Sequence, residues 1–285
     1  MERGSERAGS VATGSPAPGL RRAGNLHGGK KLHGSKSVQA RLKQNRTLVL
    51  ERIAAAARAA GRDPSEVELV AVTKAATADM AAALFEAGCT DLGENRASAL
   101  EEKHAAFLKS GRIARWHFVG HLQRNKARRV LRIAHAIHSV DSVALWEALA
   151  RLAAEERHFP GVYLQVKLAE EATKSGLAPE ELPALIERAR PGPLPLLGLM
   201  VMAPLSDDPV AAKRLAREVF ERASRLAHTL PSSAFARGRV RLSMGMSADF
   251  EEAVRAGAHV VRVGGALFDG LLSDGALAGA GRSDA

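Results

Sequence analysis

Residues 67–73 read VELVAVT and residues 259–264 read HVVRVG, and these two stretches decide the fold. Both are nearly continuous in aliphatic residues and lack the polar alternation of a sheet with one face in water. Strands of this kind are buried on both faces, as in a parallel sheet covered by helices. Six more β-rich runs lie between them, at 90–92, 116–119, 136–140, 161–166, 196–201 and 240–243. Amphipathic stretches rich in Ala, Leu, Glu and Arg fill the intervals at 78–87, 97–109, 126–134, 143–157, 179–189, 209–229 and 248–256, and read as helices. Before the first strand, Leu42, Leu48, Leu50, Ile53 and Ala57 fall at roughly helical spacing within residues 38–60, and Gly61 is placed to close that helix. Eight β segments in strict alternation predict an α/β protein built as a single (β/α)8 TIM-type barrel with an extra N-terminal helix. A doubly wound open sheet is the structural alternative.

The 285 residues are 46% hydrophobic and 25% charged, the balance of a globular protein. No apolar run approaches the roughly 20 residues needed to cross a bilayer, and the N-terminus lacks a secretory apolar stretch. A cytoplasmic protein without a membrane partner is expected. The single cysteine, Cys89, excludes an intramolecular disulfide and reads as a small buried apolar residue; no Cys/His set has metal-ligand spacing. Lys and Arg number 41 against 31 Asp and Glu, a net charge of +10. Half of it sits in residues 1–36, where seven basic residues stand against two Glu among eight Gly, four Ser and two Pro. This composition predicts a disordered basic leader over 1–36, a barrel domain over 37–272 and a flexible tail over 273–285. The basic run 123–129 has no interleaved aromatic residue, and the chain has one Tyr and two Trp. No specific nucleic-acid partner is expected.

A (β/α)8 barrel builds its active face at the C-terminal ends of its strands. Polar residues concentrate there: Lys74, Glu94, Asn95, His117, Gln123, Ser139, Asp141, the run Ser243-Met244-Gly245-Met246-Ser247, and Arg262 followed by Gly264-Gly265. Lys74 ends an apolar run, where desolvation favours the free amine that attacks a carbonyl; the alternative is a lysine that snorkels or pairs with a carboxylate. The loops after the seventh and eighth strands offer hydroxyls and unshielded backbone amides, the donors a phosphate dianion requires. Arg262 lies in an otherwise apolar strand and needs a partner, either a ligand or a carboxylate such as Glu94. His117 is either a hydrogen-bonded core group or a base.

Taken together, AVTK at 71–74, GEN at 93–95, WHFVGHLQRNK at 116–126, HSVDS at 138–142, KSG at 174–176, GLM at 198–200, LSMGMS at 242–247 and VRVGGALF at 261–268 are collinear over about residues 40–270. This set resembles the pyridoxal-phosphate homeostasis protein family, also called the YggS/PROSC family. The resemblance implies a barrel of the alanine-racemase N-terminal kind, PLP fold-type III, holding pyridoxal 5′-phosphate (PLP) as an internal aldimine on Lys74. It also implies that Arg262 faces the pyridine nitrogen, that Ser247, Gly264 and Gly265 hold the phosphate with Ser243, Met244 and Gly245 shaping the same loop, and that Asn95 and His117 line the cofactor pocket. This chain departs from the family pattern where Ala75, Ala76 and Thr77 follow the lysine, where His121 replaces a common Pro, and where Gly265 stands in place of a common Thr.

The resemblance implies a monomeric PLP-binding protein in intracellular PLP homeostasis, storing or delivering cofactor to PLP-dependent apoenzymes through a reversible Schiff base, without strong turnover. The rival is an amino-acid racemase or decarboxylase using the same aldimine. Racemisation needs a second positioned base, for which the sequence offers His117 or Tyr163. About 20 residues follow the eighth strand, too few for the added β-domain of such racemases.

Overall fold

The computed structural model describes residues 28–169, 175–190, 192–204 and 206–272. Eight parallel strands close a barrel in chain order: β1 Glu68–Val72, β2 Asp91–Glu94, β3 Arg115–Phe118, β4 Ala136–Val140, β5 Gly161–Gln165, β6 Leu196–Met200, β7 Arg241–Ser243 and β8 Val260–Val263. Closure rests on β8 pairing with β1, where Val70 stands opposite Arg262 and Ala71 opposite Val263. The open-sheet alternative is thereby excluded. All eight expected strands form, and β4 has the bounds the sequence suggests.

Side-chain parity divides the barrel into two environments. Val70, Val72, Tyr163, Met200 and Val260 make a small inner cluster, whereas Ala71, Leu92, Trp116, Phe118, Leu164, Leu199, Val261 and Val263 belong to the larger core between barrel and helices. The helices that supply this outer layer are α1 Gly28–Ala59, α2 Ala78–Glu86, α3 Ala97–Lys109, α4 Ala127–Leu131, α5 Val143–Glu156, α6 Leu182–Ala189, α7 Pro209–Thr229 and α8 Phe250–Arg255. Their starts are chemically marked. Thr77 accepts the Met80 N–H (3.2 Å), Ser142 the Leu145 N–H (3.3 Å) and Asp208 the Val210 N–H (2.9 Å), each filling an orphan donor of a first turn.

Helices α4 and α8 are shorter than expected, and two others begin three or more residues from their expected starts. Residues 179–181 form a 3-10 turn before α6 because Pro183 lacks the N–H that an α-helix continuing from Pro179 would use. The first helix begins at Gly28 rather than near residue 38, so residues 28–36 of the expected leader are helical backbone. Its first fully buried apolar residue is Leu42, and a helix nucleated by packing extends outward at little cost. Residues 1–27 of the leader and the tail 273–285 lie outside the described residues. Helix α1 also anchors the chain beyond β8, since buried Asn45 donates through Nδ2 to the carbonyls of Leu267 (3.1 Å) and Asp269 (3.0 Å).

The β7–β8 ladder has one residue pair, Ser243 with Val260, and His259 reinforces it. Its Nδ1 accepts the Leu242 N–H (3.2 Å), its N–H donates to the Leu242 carbonyl (2.8 Å), and its carbonyl accepts the Glu68 N–H (2.9 Å). Burial, aided by Arg62, Arg239 and Arg241, pushes its imidazole down to about 4. The unfolded chain, with histidine near 6.5, therefore takes up this proton first as pH falls. Its contribution to stability is complete above about pH 6.5 and is lost towards about pH 4. Urea midpoints measured between pH 7 and 4.5 are expected to fall with pH, and His259→Gln, though less stable at pH 7, is expected to show a shallower slope across that window.

Candidate functional site

Strand β1 ends at Val72, and the Ala76 N–H closes a turn onto the Thr73 carbonyl (2.9 Å) with Lys74 inside it. Lys74 is half-buried, and among the described residues no hydrogen bond or ion pair engages its ammonium. Its neighbour Thr73 is fixed. The Thr73 N–H donates to the Gly93 carbonyl (2.8 Å), its Oγ1 donates to Glu94 Oε1 (2.6 Å), and Lys103 Nζ from α3 donates to the Thr73 carbonyl (2.7 Å). Lys103 also pairs with Glu94 Oε1, and the two side chains are 5% and 0% exposed. Two lysines thus meet the same strand end in opposite states, one buried and held by two partners, the other at the rim with its amine unengaged among the described residues.

Arg262 projects inward from β8 beside Val70, one layer beneath Val72. Its Nη1 donates to Ser243 O (2.6 Å) and Oγ (2.8 Å), and Nη2 donates to the Val201 carbonyl (3.1 Å). Burial lowers its guanidinium to about 10, against the pull of Asp249 and Tyr163, so it stays charged at neutral pH. The ion pair with Glu94 that the sequence allows does not form, because Glu94 turns outward to Lys103. Arg262 therefore rests on carbonyls and a hydroxyl, with N–H groups on Nε and Nη2 outside these bonds among the described residues.

The loops after β7 and β8 interlock above it. Ser247 Oγ accepts the N–H groups of Gly264 (3.2 Å) and Ala266 (3.3 Å), while the Arg262 N–H donates to the Gly245 carbonyl (2.9 Å). A serine oxygen on two backbone amides occupies the kind of donor pair that a phosphate oxygen uses. Gly245 has φ +92°, and a Cβ there would lie 2.6 Å from Ala253 Cβ and 2.9 Å from Phe250 Cα. A Cβ on Gly264 would lie 3.0 Å from the Val72 carbonyl, so this glycine lets the β8 loop close against β1 two residues before Lys74. At Gly265 the same atom would make an ordinary 3.6 Å contact with Ser247 Oγ, so sterics alone do not demand glycine there. Met244 is wholly buried in the outer core.

The structure brings Lys74, Ser243, Gly245, Ser247, Arg262, Gly264 and Gly265 to one sector of the rim, across β1, β7 and β8. Asn95 lies on the neighbouring β2 loop, where its carbonyl would be 2.1 Å from a Cβ on Gly120, so Gly120 permits the close approach of the β2 and β3 loops. His117 sits deeper, inside the barrel, with Nε2 on Asp91 Oδ1 (3.1 Å) and Nδ1 on His138 Nε2 (2.9 Å). Tyr163 stacks on His138 at 4.5 Å, and burial pushes its phenol up to about 12. Ser139 is buried and Asp141 pairs with His121 (3.1 Å). Lys174 lies outside the described residues. Sequence reasoning missed Lys103 and His138 as partners. Lys103 carried a signal, for it shares the buried face of α3 with Leu100 and Phe107, where a lysine requires a countercharge.

Removing one member of a buried ion pair leaves an uncompensated charge and costs about 3–5 kcal/mol, whereas an apolar pair of similar volume is often neutral. Lys103→Met is accordingly expected to lose about that much in urea unfolding, and Glu94→Met/Lys103→Met is expected to regain most of it.

A closed parallel barrel with a lysine at the end of β1 and amide-lined loops after β7 and β8 defines the class. The family model described as "Alanine racemase, N-terminal domain" matches residues 48–271. Within that class the similarity is closer to one group of proteins. A pyridoxal phosphate homeostasis protein of Deinococcus radiodurans is 40% identical over 221 residues, covering 77% of this chain and 97% of its own. One from Pseudomonas aeruginosa is 39% identical over 230 residues, covering 79% and 94%. Among solved structures, PipY of Synechococcus elongatus with PLP bound superposes with a TM-score of 0.64 at 35% identity, covering 77% of this chain and 99% of PipY. The chain belongs to the pyridoxal phosphate homeostasis protein family.

Proposed function

We propose that this protein binds pyridoxal 5′-phosphate and acts in intracellular PLP homeostasis, storing the cofactor and delivering it to PLP-dependent apoenzymes. The observation that carries this reading is Lys74, a half-buried lysine at the end of β1 whose ammonium has no partner among the described residues, beside a loop pair whose Gly264 and Ala266 amides converge on one oxygen, that of Ser247. The residues fit the group. Ser247, Gly264, Gly265 and the Ala266 N–H would hold the phosphate, Arg262 would meet the pyridine ring with its remaining donors, and Asn95 would border the pocket. PLP would supply an aldehyde that reacts reversibly with a primary amine, releasing water, and Lys74 Nζ would be that amine.

The site's electrostatics favour holding the cofactor over turning it into an electron sink. Arg262 is a cation where a carboxylate would be needed to keep a ring nitrogen protonated. Both ring nitrogens of His117 have protein partners, and the Tyr163 phenol is buried with its pKa raised, so the two second-base candidates are engaged elsewhere. A monomer in the cytoplasm completes the reading; among the described residues, no helix is long and apolar enough to cross a membrane.

Protein incubated with PLP is expected to acquire a visible absorption band, and borohydride followed by peptide mapping is expected to fix the adduct on Lys74. Lys74→Ala should lose the band. An undiminished band in that variant, or D/L-amino-acid turnover that disappears with Lys74, would overturn the carrier reading.

A further inference from the structure

A file of polar side chains crosses the barrel interior from the site to the opposite face. It runs from Arg262 Nη1 to Ser243 Oγ (2.8 Å), from Ser243 Oγ to His138 Nδ1 (2.7 Å), from His138 Nε2 to His117 Nδ1 (2.9 Å) and from His117 Nε2 to Asp91 Oδ1 (3.1 Å). Four strands contribute besides β8, and four of its members are at most 5% exposed: Arg262, Ser243, His138 and His117. Asp91 opens β2 at the N-terminal end of the barrel, where Arg115 grips it through Nε (2.6 Å) and Nη2 (2.5 Å). Burial alone would raise the Asp91 carboxyl, but the hydrogen bonds from His117 and Arg115 outweigh it and hold the group well below the usual carboxylate range. Asp91 is therefore a permanent acceptor.

With both imidazoles neutral, this acceptor and the arginine donor leave one consistent assignment of protons. His138 is wholly buried, and its desolvation, reinforced by the charges of Arg262 and Arg241, keeps it neutral. A neutral imidazole has one donor and one acceptor nitrogen. If Nδ1 carried the hydrogen, Ser243 Oγ would accept from both His138 and Arg262, leaving its own hydrogen without an acceptor in the file. His138 Nε2 would then need the Nδ1 hydrogen of His117, and a neutral His117 would turn a bare Nε2 towards the Asp91 carboxylate. With the hydrogen on Nε2 of both rings every donor meets an acceptor. Arg262 donates to Ser243, Ser243 to His138, His138 to His117 and His117 to Asp91.

We propose that Asp91, His117 and His138 are positioning residues that form a one-way hydrogen-bond relay, setting the Ser243 hydroxyl as an acceptor that aligns the Arg262 guanidinium for its ligand. This rests on the proposed PLP reading only for what the ligand is. The relay itself is a property of the unloaded chain. Tyr163, stacked on His138 with an interplanar angle of 25°, holds that ring in the plane the file requires. The relay couples the ligand site to Asp91 and Arg115 at the far end of the barrel, and chained hydrogen bonds in a low-dielectric interior strengthen one another.

Long-range 15N–1H NMR of the histidine rings in the full chain without PLP tests the assignment directly. His117 and His138 are expected as Nε2–H tautomers near neutral pH; an Nδ1–H tautomer at His138 overturns the proposal, with no variant needed. In Asp91→Ala the acceptor for the His117 Nε2–H is lost, and His138, two strands away, is expected to change tautomer. PLP affinity is expected to weaken about tenfold, the scale of one coupled hydrogen bond. An unchanged His138 tautomer and unchanged affinity in a folded Asp91→Ala would sink the relay as a positioning device. Expected tautomers in a protein that fails to bind PLP would leave the relay standing and defeat the PLP reading instead. PLP bound on Lys74 with the opposite tautomers would do the reverse.

Discussion

A guanidinium enclosed in a closed barrel has to be solvated by the protein itself, and that constraint organises the site of this chain. Among the described residues no carboxylate hydrogen-bonds to Arg262. Its partners are the carbonyls of Val201 and Ser243 and the Ser243 hydroxyl, which lower the cost of burying a charge without cancelling the charge. A positive potential therefore persists at the floor of the pocket. It suits an anionic ligand and opposes any further positive charge next to it, which is one reason His138 stays neutral.

The buried charges of Lys103 and Glu94 are treated in the opposite way. Lys103 and Glu94 neutralise each other between α3 and the end of β1, so their field at the rim is small and their work is mechanical: they clamp the Thr73 carbonyl. Lys74, the next residue, inherits a fixed backbone and an unengaged amine. For these two groups strand parity decides the partner: it sends Glu94 outward to Lys103 and Arg262 inward, away from it.

Most of the architecture was legible because both-face burial leaves apolar runs and because helices between parallel strands carry helical spacing. All eight strands were readable for that reason. What was lost depends on partners distant in sequence or on local backbone chemistry. Pro183 shortened α6 by removing one N–H, and α1 reached back to Gly28 through propagation that no local pattern marks. In the site, Lys74, Ser247, Arg262 and the glycine pair were legible as polar or flexible residues at strand ends. His138 was not, because its role depends on Ser243, 105 positions away, and a histidine in a strand looks the same whether it carries a relay or fills a core. The choice between Glu94 and a ligand as the Arg262 partner needed the parity of β2, which the apolar pattern of a four-residue strand does not define.

Holding a reactive aldehyde and using it make different demands on one lysine. Turnover requires that proton donors and acceptors flank the bound carbon on both faces and that electrons drain into the ring. In this barrel the histidines and tyrosine that would supply protons are committed to the interior. Ser243 and His138 hold the arginine, His117 faces Asp91, and Tyr163 lies flat against His138 with its phenol pushed away from ionisation by burial. Freeing any of them for acid–base work would break the alignment of Arg262 and leave a buried group unpaired. The packing that steadies the cation thus also engages the groups on which the rival racemase reading would draw, which supports the proposed reversible capture.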